Sequence, residues 1–380
     1  MVLPAALSPV SRRHLWAALT FTCQVRHVKR SIWNAHSVQK NVPPINAHSL
    51  TESNSRGAFA QQTAPSLPNF FIVGAPKTGT TSLHKYLCQH PEIYMSPVKE
   101  PCYFATDVRV ERVSDALQAS ATRREDELRA YLDGPMSAPA PTGIITEWTD
   151  YLKLFRNVGT QKAIGEASVC YLWSSTAAAN IHARVPDAKI IMILRDPAER
   201  AYSEYLMGVA EGLVSASFRA QIESAMASTD TKFGPLYPFL EHGSYYEQVK
   251  RYFDLFPRAN IHILWYEQDW QQPSLLLRSI FQFLGVDSNF EGDVARRARE
   301  GQVPRSIASY SLLKRSGLGQ QIKNAIPPAA RQRLKNLLFK KGPSAAMDSR
   351  DRSLLRDYYR DDIGRLSRLV DRDLSSWLPQ

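Results

Sequence analysis

The chain has 380 residues, of which 44% are hydrophobic and 22% are charged, and its net charge is +11. This length fits one large or two modest domains, and the composition excludes a collagen-like or wholly disordered chain. No apolar run approaches the roughly 18–20 residues that span a bilayer. The four cysteines form no CxxC pair, which argues against a zinc ribbon or a disulfide-dense scaffold and leaves the redox compartment open.

The positive charge is concentrated in two segments that contain no acidic residue. Residues 1–51 carry +6 and residues 301–347 carry +9, which leaves −4 for the rest of the chain. A nucleic-acid surface needs its basic residues on a stripe with interleaved aromatic residues. We therefore favour the interpretation of the first segment as a targeting tail and of the second as a solvated helical face. No nucleic-acid partner is predicted, although the second segment could attract an anionic sugar polymer.

The first 68 residues are predicted to be a disordered or targeting extension that precedes a single domain at 69–380. Residues 15–25 form an apolar run flanked by arginines, compatible with a signal h-region or an arginine-rich transit peptide. The alternative, a disordered extension, stays open. The protein is expected to be soluble, and its compartment, whether cytoplasm, organelle or secretory lumen, depends on this segment.

From Asn69 onward, short strands of the fully buried type alternate with helices. The predicted elements are a strand at Phe70–Ala75, a helix at Thr81–His90, a strand at Ala188–Leu194, a helix at Ala198–Gly212, a strand at Ile261–Tyr266 and a helix at Leu275–Leu284. This order predicts an α/β fold with a central, mainly parallel sheet flanked by helices. Residues 106–143 are predicted to lie over a sheet edge, where they either face the substrate or are merely solvated. Residues from about 305 to 380 are predicted to form a basic helical C-terminal part.

The turn after the first strand, GAPKTGTTS at 74–82, has the features of an anion site. Backbone N–H groups at a helix N-terminus point outward, the helix dipole favours negative charge, and Lys77 adds a full positive charge. The loop resembles a P-loop with one change, because a Walker A sequence places lysine after the second glycine, where this chain has Thr80. The alternative is an ordinary strand-to-helix turn with a solvated lysine.

A second polar element follows the strand at 188–194. Arg195 ends that strand and Ser203 lies on the next helix, so both can reach the crevice at the carboxyl ends of the strands, where open α/β sheets bind ligands. Arginine offers a bidentate fork for a phosphate and serine offers a hydroxyl donor. Asp196 could instead act as a Walker B carboxylate that holds Mg²⁺, which is the weaker interpretation.

These residues resemble the sulfotransferases that use 3′-phosphoadenosine 5′-phosphosulfate (PAPS), most closely the heparan-sulfate and bacterial carbohydrate type. The loop at 76–83 (PKTGTTSL) matches the family's 5′-phosphosulfate motif, and Leu194–Pro197 with Ser203 matches its 3′-phosphate motif. The segment 99–104 (KEPCYF) and the stretches 165–168, 243–245 and 281–286 extend the resemblance, which is clear over about 69–300.

The resemblance implies a P-loop-like domain and a metal-independent enzyme that moves a sulfuryl group from PAPS to a hydroxyl or amine, on a carbohydrate or small metabolite. It implies Lys77 and Glu100 as catalytic residues, with Glu100 as the general base. The implied donor-binding residues are Lys77, Thr78, Gly79, Thr80, Thr81, Ser82, Arg195, Ser203 and Arg305. A surface turn charge paired with Lys99 is the other interpretation of Glu100.

The chain departs from the family pattern at several positions. Cys102 stands where many relatives carry His or Gln, and Ala167 stands where the heparan type has Lys, so Glu100 has less polar support. Arg305 could replace a lysine of the family's disulfide-bearing loop or be an ordinary surface arginine. His84 is interpreted as a core residue, and Tyr245 either lines the acceptor cleft or is a buried aromatic.

Two other functions stay open on the sequence alone. An ATP-dependent P-loop kinase would require Mg²⁺ and tolerate a nucleotide without a 3′-phosphate. A non-catalytic polyanion-binding protein on a degenerate nucleotide fold would bind through the basic segment, independently of Lys77 and Glu100. The sequence does not identify the acceptor.

Overall fold

A computed structural model gives the fold of most of the chain after the N-terminal segment. It describes residues 66–109, 115–137, 140–211, 213–228, 238–294, 302–304, 339–341 and 346–379. The predicted extension therefore lies almost entirely outside the described residues, as do Arg305 and most of the basic segment at 305–341.

The centre of the fold is a parallel sheet of five strands. The strands are β1 (Phe70–Gly74), β2 (Ile93–Met95), β3 (Ala163–Ala167), β4 (Lys189–Leu194) and β5 (Ile261–Trp265), arranged in the order β2-β3-β1-β4-β5. Every pairing is parallel, with Ile72 opposite both Ala167 and Ile191. All residues of β1 are buried, as expected for a central strand covered on both faces. The α/β class with a parallel sheet is confirmed.

Helices cover both faces of the sheet. In chain order they are α1 (Thr80–Leu87), α2 (Asp115–Asp133), α3 (Trp148–Lys153), α4 (Cys170–Trp173), α5 (Ala177–Arg184), α6 (Pro197–Ala210), α7 (Phe218–Ala227), α8 (Tyr245–Phe253), α9 (Tyr266–Asp269), α10 (Pro273–Leu284) and α11 (Ser349–Val370). One face packs on α1 and α10, and the larger core on the other face includes residues of α4, α5, α6, α8 and α11. Among the described helices, none has both the length and the apolar character needed to cross a bilayer.

Two segments of the described chain add detail to the sequence-based expectation. Residues 106–143 contain α2, whose Leu128 and Leu132 are buried in the larger core, so this segment is packed into the fold rather than merely solvated. In the C-terminal part, α11 packs against α6 and α8, while a separate antiparallel pair joins β6 (Gln302–Pro304) to β7 (Phe339–Lys341). The described C-terminal part is thus helical only in α11 and the short 3₁₀ turn at Ser375–Trp377.

Candidate functional site

The loop between β1 and α1 lies at the carboxyl edge of the sheet and is fixed by its own backbone. The Ala75 N–H donates to the Ile193 carbonyl at 2.9 Å, which ties the loop to β4. The Thr78 hydroxyl donates to the Ala75 carbonyl at 2.7 Å. Because Thr78 is buried and its hydroxyl proton is already donated, its side chain serves to shape the loop.

The N-terminus of α1 is open toward the loop. Gly79 is the N-cap in the left-handed conformation, and it has no side chain with which to cap the helix. Ser82 and Leu83 both donate their N–H groups to the Gly79 carbonyl, at 2.9 and 3.0 Å. Thr80 and Thr81 are the first helical residues, so their N–H groups have no acceptor within the helix. With no acidic residue in this first turn, the helix end is suited to an anion.

A tryptophan that the sequence analysis did not identify supports this loop from outside. The Trp270 indole Nε1 donates to the Thr78 carbonyl at 2.9 Å. A Cβ atom on Gly79 would lie 2.7 Å from the Trp270 ring, so the indole packs directly on the glycine. Trp270 lies at the end of α9, and no sequence pattern indicates its contact with Thr78, which is 192 positions away in the chain.

The structure brings Lys77 and Arg195 together. The Arg195 Nη1 donates to the Lys77 carbonyl at 3.0 Å, and the Lys77 ammonium lies 3.1 Å from the Met207 sulfur. The Arg195 guanidinium stacks on Tyr266, 4.3 Å from the ring centroid, with its Nε 3.9 Å from a Glu267 carboxylate oxygen. That Nε is buried and has no hydrogen-bond acceptor within the described part of the chain, so Arg195 retains a donor for a ligand.

Ser203 lies on the face of α6 that borders the loop. It is one helical turn before Met207, whose sulfur contacts Lys77. The same helix begins at Asp196, whose carboxylate accepts the Ala198 N–H at 2.9 Å and pairs with Arg356 at 3.2 Å. Because both interactions use this carboxylate structurally, the geometry argues against the interpretation of Asp196 as a Mg²⁺ ligand.

Glu100 reaches the same edge of the sheet from the other side of β1. Its N–H donates to the Ala167 carbonyl at 2.8 Å, and Ala167 ends β3, which is paired with β1. The Glu100 carboxylate is 43% exposed and forms an ion pair with Lys99. The ion pair with Lys99, which is the alternative interpretation of Glu100, is therefore present, on a carboxylate that solvent can reach.

His84 lies beside this ion pair, on α1. Its ring nitrogen Nε2 is 3.1 Å from the Ser96 carbonyl, and burial lowers the pKa of His84 from 6.5 to about 4. The positive charges of Lys99 and Lys85 lower that pKa further, while the Ser96 carbonyl and the Glu100 carboxylate oppose the shift. A neutral, hydrogen-bonded ring agrees with the interpretation of His84 as a core residue.

A buried polar layer lies beneath the Glu100 turn. Glu166 on β3 is fully buried, and burial raises its pKa from 4.5 to about 7. The Ser168 hydroxyl links this carboxylate, at 3.3 Å, to the Cys102 N–H, at 3.1 Å, and the Tyr171 hydroxyl accepts the Phe104 N–H at 3.2 Å. The end of β3 therefore supports the turn that carries Glu100.

The other two candidates do not join the site in the described residues. Tyr245 is completely buried, so the alternative that it lines an acceptor cleft is wrong. Arg305 lies outside the described residues. The structure thus places Lys77, the first turn of α1, Arg195, Ser203 and Glu100 along one edge of the sheet, with cationic groups beside an open helix N-terminus.

Known proteins share this architecture and sequence pattern. A sequence model described as "Sulfotransferase family" matches residues 68–291. Human carbohydrate sulfotransferase 15 is 24% identical over 351 residues, which cover 82% of this chain and 54% of that protein. Human bifunctional heparan sulfate N-deacetylase/N-sulfotransferase 3 is 27% identical over 328 residues, which cover 84% of this chain and 32% of that protein. The chain therefore spans about half or less of the length of these relatives.

Among solved structures, a sulfotransferase from Alicyclobacillus acidocaldarius has 29% sequence identity and a TM-score of 0.60. The similarity covers 82% of this chain and 99% of that one. The match extends beyond the loop and the sheet to most of the chain.

Proposed function

Because this chain belongs to the sulfotransferase family, we propose that it transfers a sulfuryl group from PAPS to a hydroxyl or amine acceptor. The observation that carries the proposal is the contact between Arg195 and the lysine loop, 3.0 Å from Nη1 to the Lys77 carbonyl, with a buried Nε left for a ligand. Two cations from adjacent strands thus border an open helix N-terminus, an arrangement suited to a nucleotide with two phosphate groups.

The donor half of the site would stabilise the leaving group. In this reaction the acceptor atom attacks sulfur, the bond from sulfur to the bridging 5′-phosphate oxygen breaks, and 3′-phosphoadenosine 5′-phosphate leaves. Lys77 and the N–H groups of Thr80 and Thr81 would stabilise the charge that builds on the 5′-phosphate. Arg195 and Ser203 would hold the 3′-phosphate. The backbone of Thr78 and Gly79 and the hydroxyls of Thr81 and Ser82 complete the proposed donor contacts.

Glu100 would take the proton that the acceptor loses. Its support is position and access: the turn is hydrogen-bonded to the end of β3, and the carboxylate is 43% exposed. General base catalysis of this kind contributes roughly 10²–10⁴-fold. The acceptor would have to share or displace the Lys99 ion pair in order to bring its proton to the carboxylate.

We further propose a carbohydrate acceptor. The two human relatives are named for sulfation of carbohydrate and of heparan sulfate, which supports a sugar hydroxyl or amine. Cys102 and Ala167, where we expect polar residues in relatives, argue against assuming heparan itself. A small metabolite with a hydroxyl stays the second acceptor class.

Calorimetry on the full chain tests the donor assignment. Wild-type protein should bind 3′-phosphoadenosine 5′-phosphate much more tightly than AMP. Arg195→Ala should weaken binding of 3′-phosphoadenosine 5′-phosphate about 10- to 150-fold. It should weaken AMP binding by a smaller factor, which reflects only the lost hydrogen bond to the Lys77 carbonyl. Arg360→Ala is the matched control, because Arg360 is exposed on α11 and pairs with Asp357 on the same helix. Equal affinity of the wild-type protein for both nucleotides, or binding that requires Mg²⁺, would favour a kinase instead.

Transfer of labelled sulfate from PAPS to a panel of sugars, lipids, phenols and amines tests the reaction and the base. Glu100→Gln should lower kcat by about 10²–10⁴-fold and leave nucleotide affinity unchanged. Glu247→Gln, at an exposed ion pair with Arg365, should change neither kcat nor nucleotide affinity. If the protein transfers nothing and its binding to polyanions survives Lys77→Ala combined with Glu100→Gln, it is a binding protein and not an enzyme.

A further inference from the structure

Two cysteine thiols meet next to the Glu100 turn. Cys102 lies two residues after Glu100, and Cys170 is the first residue of α4. The Cys170 S–H donates to the Cys102 sulfur, and the two sulfur atoms are 2.9 Å apart although the residues are 68 positions apart in the chain. Both are free thiols in the structure. Chain folding, rather than sequence proximity, brings this pair together.

The backbone holds both sulfur atoms in place. The Cys102 N–H donates to the Ser168 hydroxyl at 3.1 Å, and Ser168 lies two residues before Cys170, so a short hydrogen-bonded path joins the two cysteines. Cys102 and Glu100 both have left-handed backbone conformations, with φ of 53° and 65°, which shape the turn. A disulfide has a sulfur–sulfur distance of about 2.05 Å, so the two sulfurs need to approach each other by only about 0.9 Å.

We propose that Cys102 and Cys170 are a reversible modification site, which a small-molecule disulfide oxidises to an intramolecular disulfide that restrains the Glu100 turn. The modification itself follows from the thiol geometry. Its effect on catalysis rests on the proposed function, in which Glu100 is the general base.

The chemistry is thiol–disulfide exchange with oxidised glutathione as the oxidant. The thiolate of one cysteine attacks the glutathione disulfide, forming a mixed disulfide and releasing one reduced glutathione. The second cysteine, as a thiolate, then attacks the mixed disulfide, forming the protein disulfide and releasing a second reduced glutathione. Two electrons and the two thiol protons leave the protein in total. Burial raises the pKa of Cys170, so the exchange should be faster at pH 8.5 than at pH 7.

The disulfide should affect the acceptor side of the site and not the donor side. Glu100 is two residues from Cys102, and a displacement of about 1 Å in a catalytic group can reduce the rate by about 10²-fold. Lys77 and Arg195 are held by Met207, Tyr266 and the loop backbone instead. We therefore expect oxidation to reduce the transfer rate at least about 10-fold and to leave nucleotide affinity within about 2-fold.

The test compares full-length protein after incubation with oxidised or reduced glutathione. Trypsin cleaves the chain so that Cys102 lies in residues 100–109 and Cys170 in residues 163–184. Mass spectrometry should find these peptides joined and two hydrogen atoms lighter after oxidation, and dithiothreitol should separate them. Cys170→Ser should abolish both the joined peptides and the loss of transfer rate, whereas Cys88→Ser, at the end of α1, should abolish neither.

Each outcome decides one part of the proposal. If these two peptides are not joined in the folded wild-type protein, the modification site is refuted. If they are joined and the transfer rate is unchanged, the restraint of Glu100 is refuted. A reduced protein that binds no 3′-phosphoadenosine 5′-phosphate would refute the proposed function, while the peptide result would still decide whether the disulfide forms.

Discussion

Replacing Gly79 by alanine should damage both the stability of the fold and the nucleotide site. Gly79 has φ of 86°, a region where a residue with a Cβ atom is strained by about 1–2 kcal/mol. Its Cβ atom would also lie 2.7 and 2.8 Å from two carbon atoms of the Trp270 ring, too close for any real contact. The indole is buried and cannot swing into solvent, so relief requires movement of the loop.

The magnitude follows from these two contributions. Overpacking of a buried site adds about 1–3 kcal/mol to the backbone strain, so the free energy of unfolding should fall by about 2–5 kcal/mol in total. Movement of Trp270 also breaks its hydrogen bond to the Thr78 carbonyl. Because that carbonyl belongs to the loop that presents the N–H groups of α1, affinity for 3′-phosphoadenosine 5′-phosphate should fall at least about 10-fold, which corresponds to about 1.4 kcal/mol.

Gly285→Ala is the matched control for this experiment. Gly285 also has a left-handed backbone, with φ of 77°, but the nearest atom to its Cβ would be the Lys189 ammonium nitrogen at 3.9 Å. The free energy of unfolding of Gly285→Ala should therefore fall only by the backbone strain of about 1–2 kcal/mol, and its nucleotide affinity should stay unchanged. Urea unfolding and calorimetry measure both quantities. Equal losses of stability in the two variants, or full nucleotide affinity in Gly79→Ala, would refute the proposed role of the Trp270 contact.

Two further substitutions test the packing of β3. Burial raises the pKa of Glu166 to about 7. Between pH 4.5 and 7 the folded protein therefore keeps a proton that the unfolded chain releases, so the free energy of unfolding falls as pH rises. Glu166→Gln should remove about 3 kcal/mol of that decline. Urea unfolding at pH 5 and pH 8 measures this, and identical pH slopes in variant and wild-type protein would contradict it. Gly165→Ala should reduce the free energy of unfolding by about 3 kcal/mol, since its Cβ would lie 2.1 Å from the Phe70 ring. Adding Phe70→Leu should recover part of the loss. A Gly165→Ala variant of unchanged stability would contradict this prediction and show that β1 and β3 can separate.

The three strands predicted from the sequence are those in which apolar residues predominate, interrupted at most by one polar residue, Lys189 or His262. β1, β4 and β5 lie side by side in the sheet, with boundaries within one residue of the prediction. β1 is completely buried, β4 is buried except at Lys189, and β5 is half-buried at His262 and Ile263. β2 and β3 were not predicted, because β2 has three residues and β3 contains Gly165 and Glu166. The close approach of Phe70 requires that glycine, and Glu166 is tolerated only because burial favours its neutral form and neighbouring hydroxyls surround it. Neither condition can be read from a single strand.

The sequence predicts those parts of the candidate site in which a charged residue directly follows a recognisable strand, namely Lys77 and Arg195. The anion loop and Arg195 each follow a recognisable strand, so their types and positions indicate their location. Trp270 contacts Thr78 across 192 positions, and Arg356 on α11 reaches Asp196 across 160. Such partners depend on how distant helices dock, so sequence periodicity does not identify them. The same reason explains why the sequence showed four separate cysteines and not the contact between Cys102 and Cys170.

The two halves of the site differ in how firmly the fold holds them. On the proposed donor side, the buried Trp270 packs on Gly79 and donates to the Thr78 carbonyl. Arg195 is held by the Tyr266 ring and the Lys77 carbonyl, so substitutions on this side disturb packing as well as binding. On the proposed acceptor side, Glu100 has a half-exposed carboxylate, and its backbone N–H, rather than a packed side chain, ties the turn to the Ala167 carbonyl. Exposed side chains at that turn can therefore change without the packing cost that a substitution of Gly79 incurs, so the proposed acceptor side is the half of the site that tolerates substitution better.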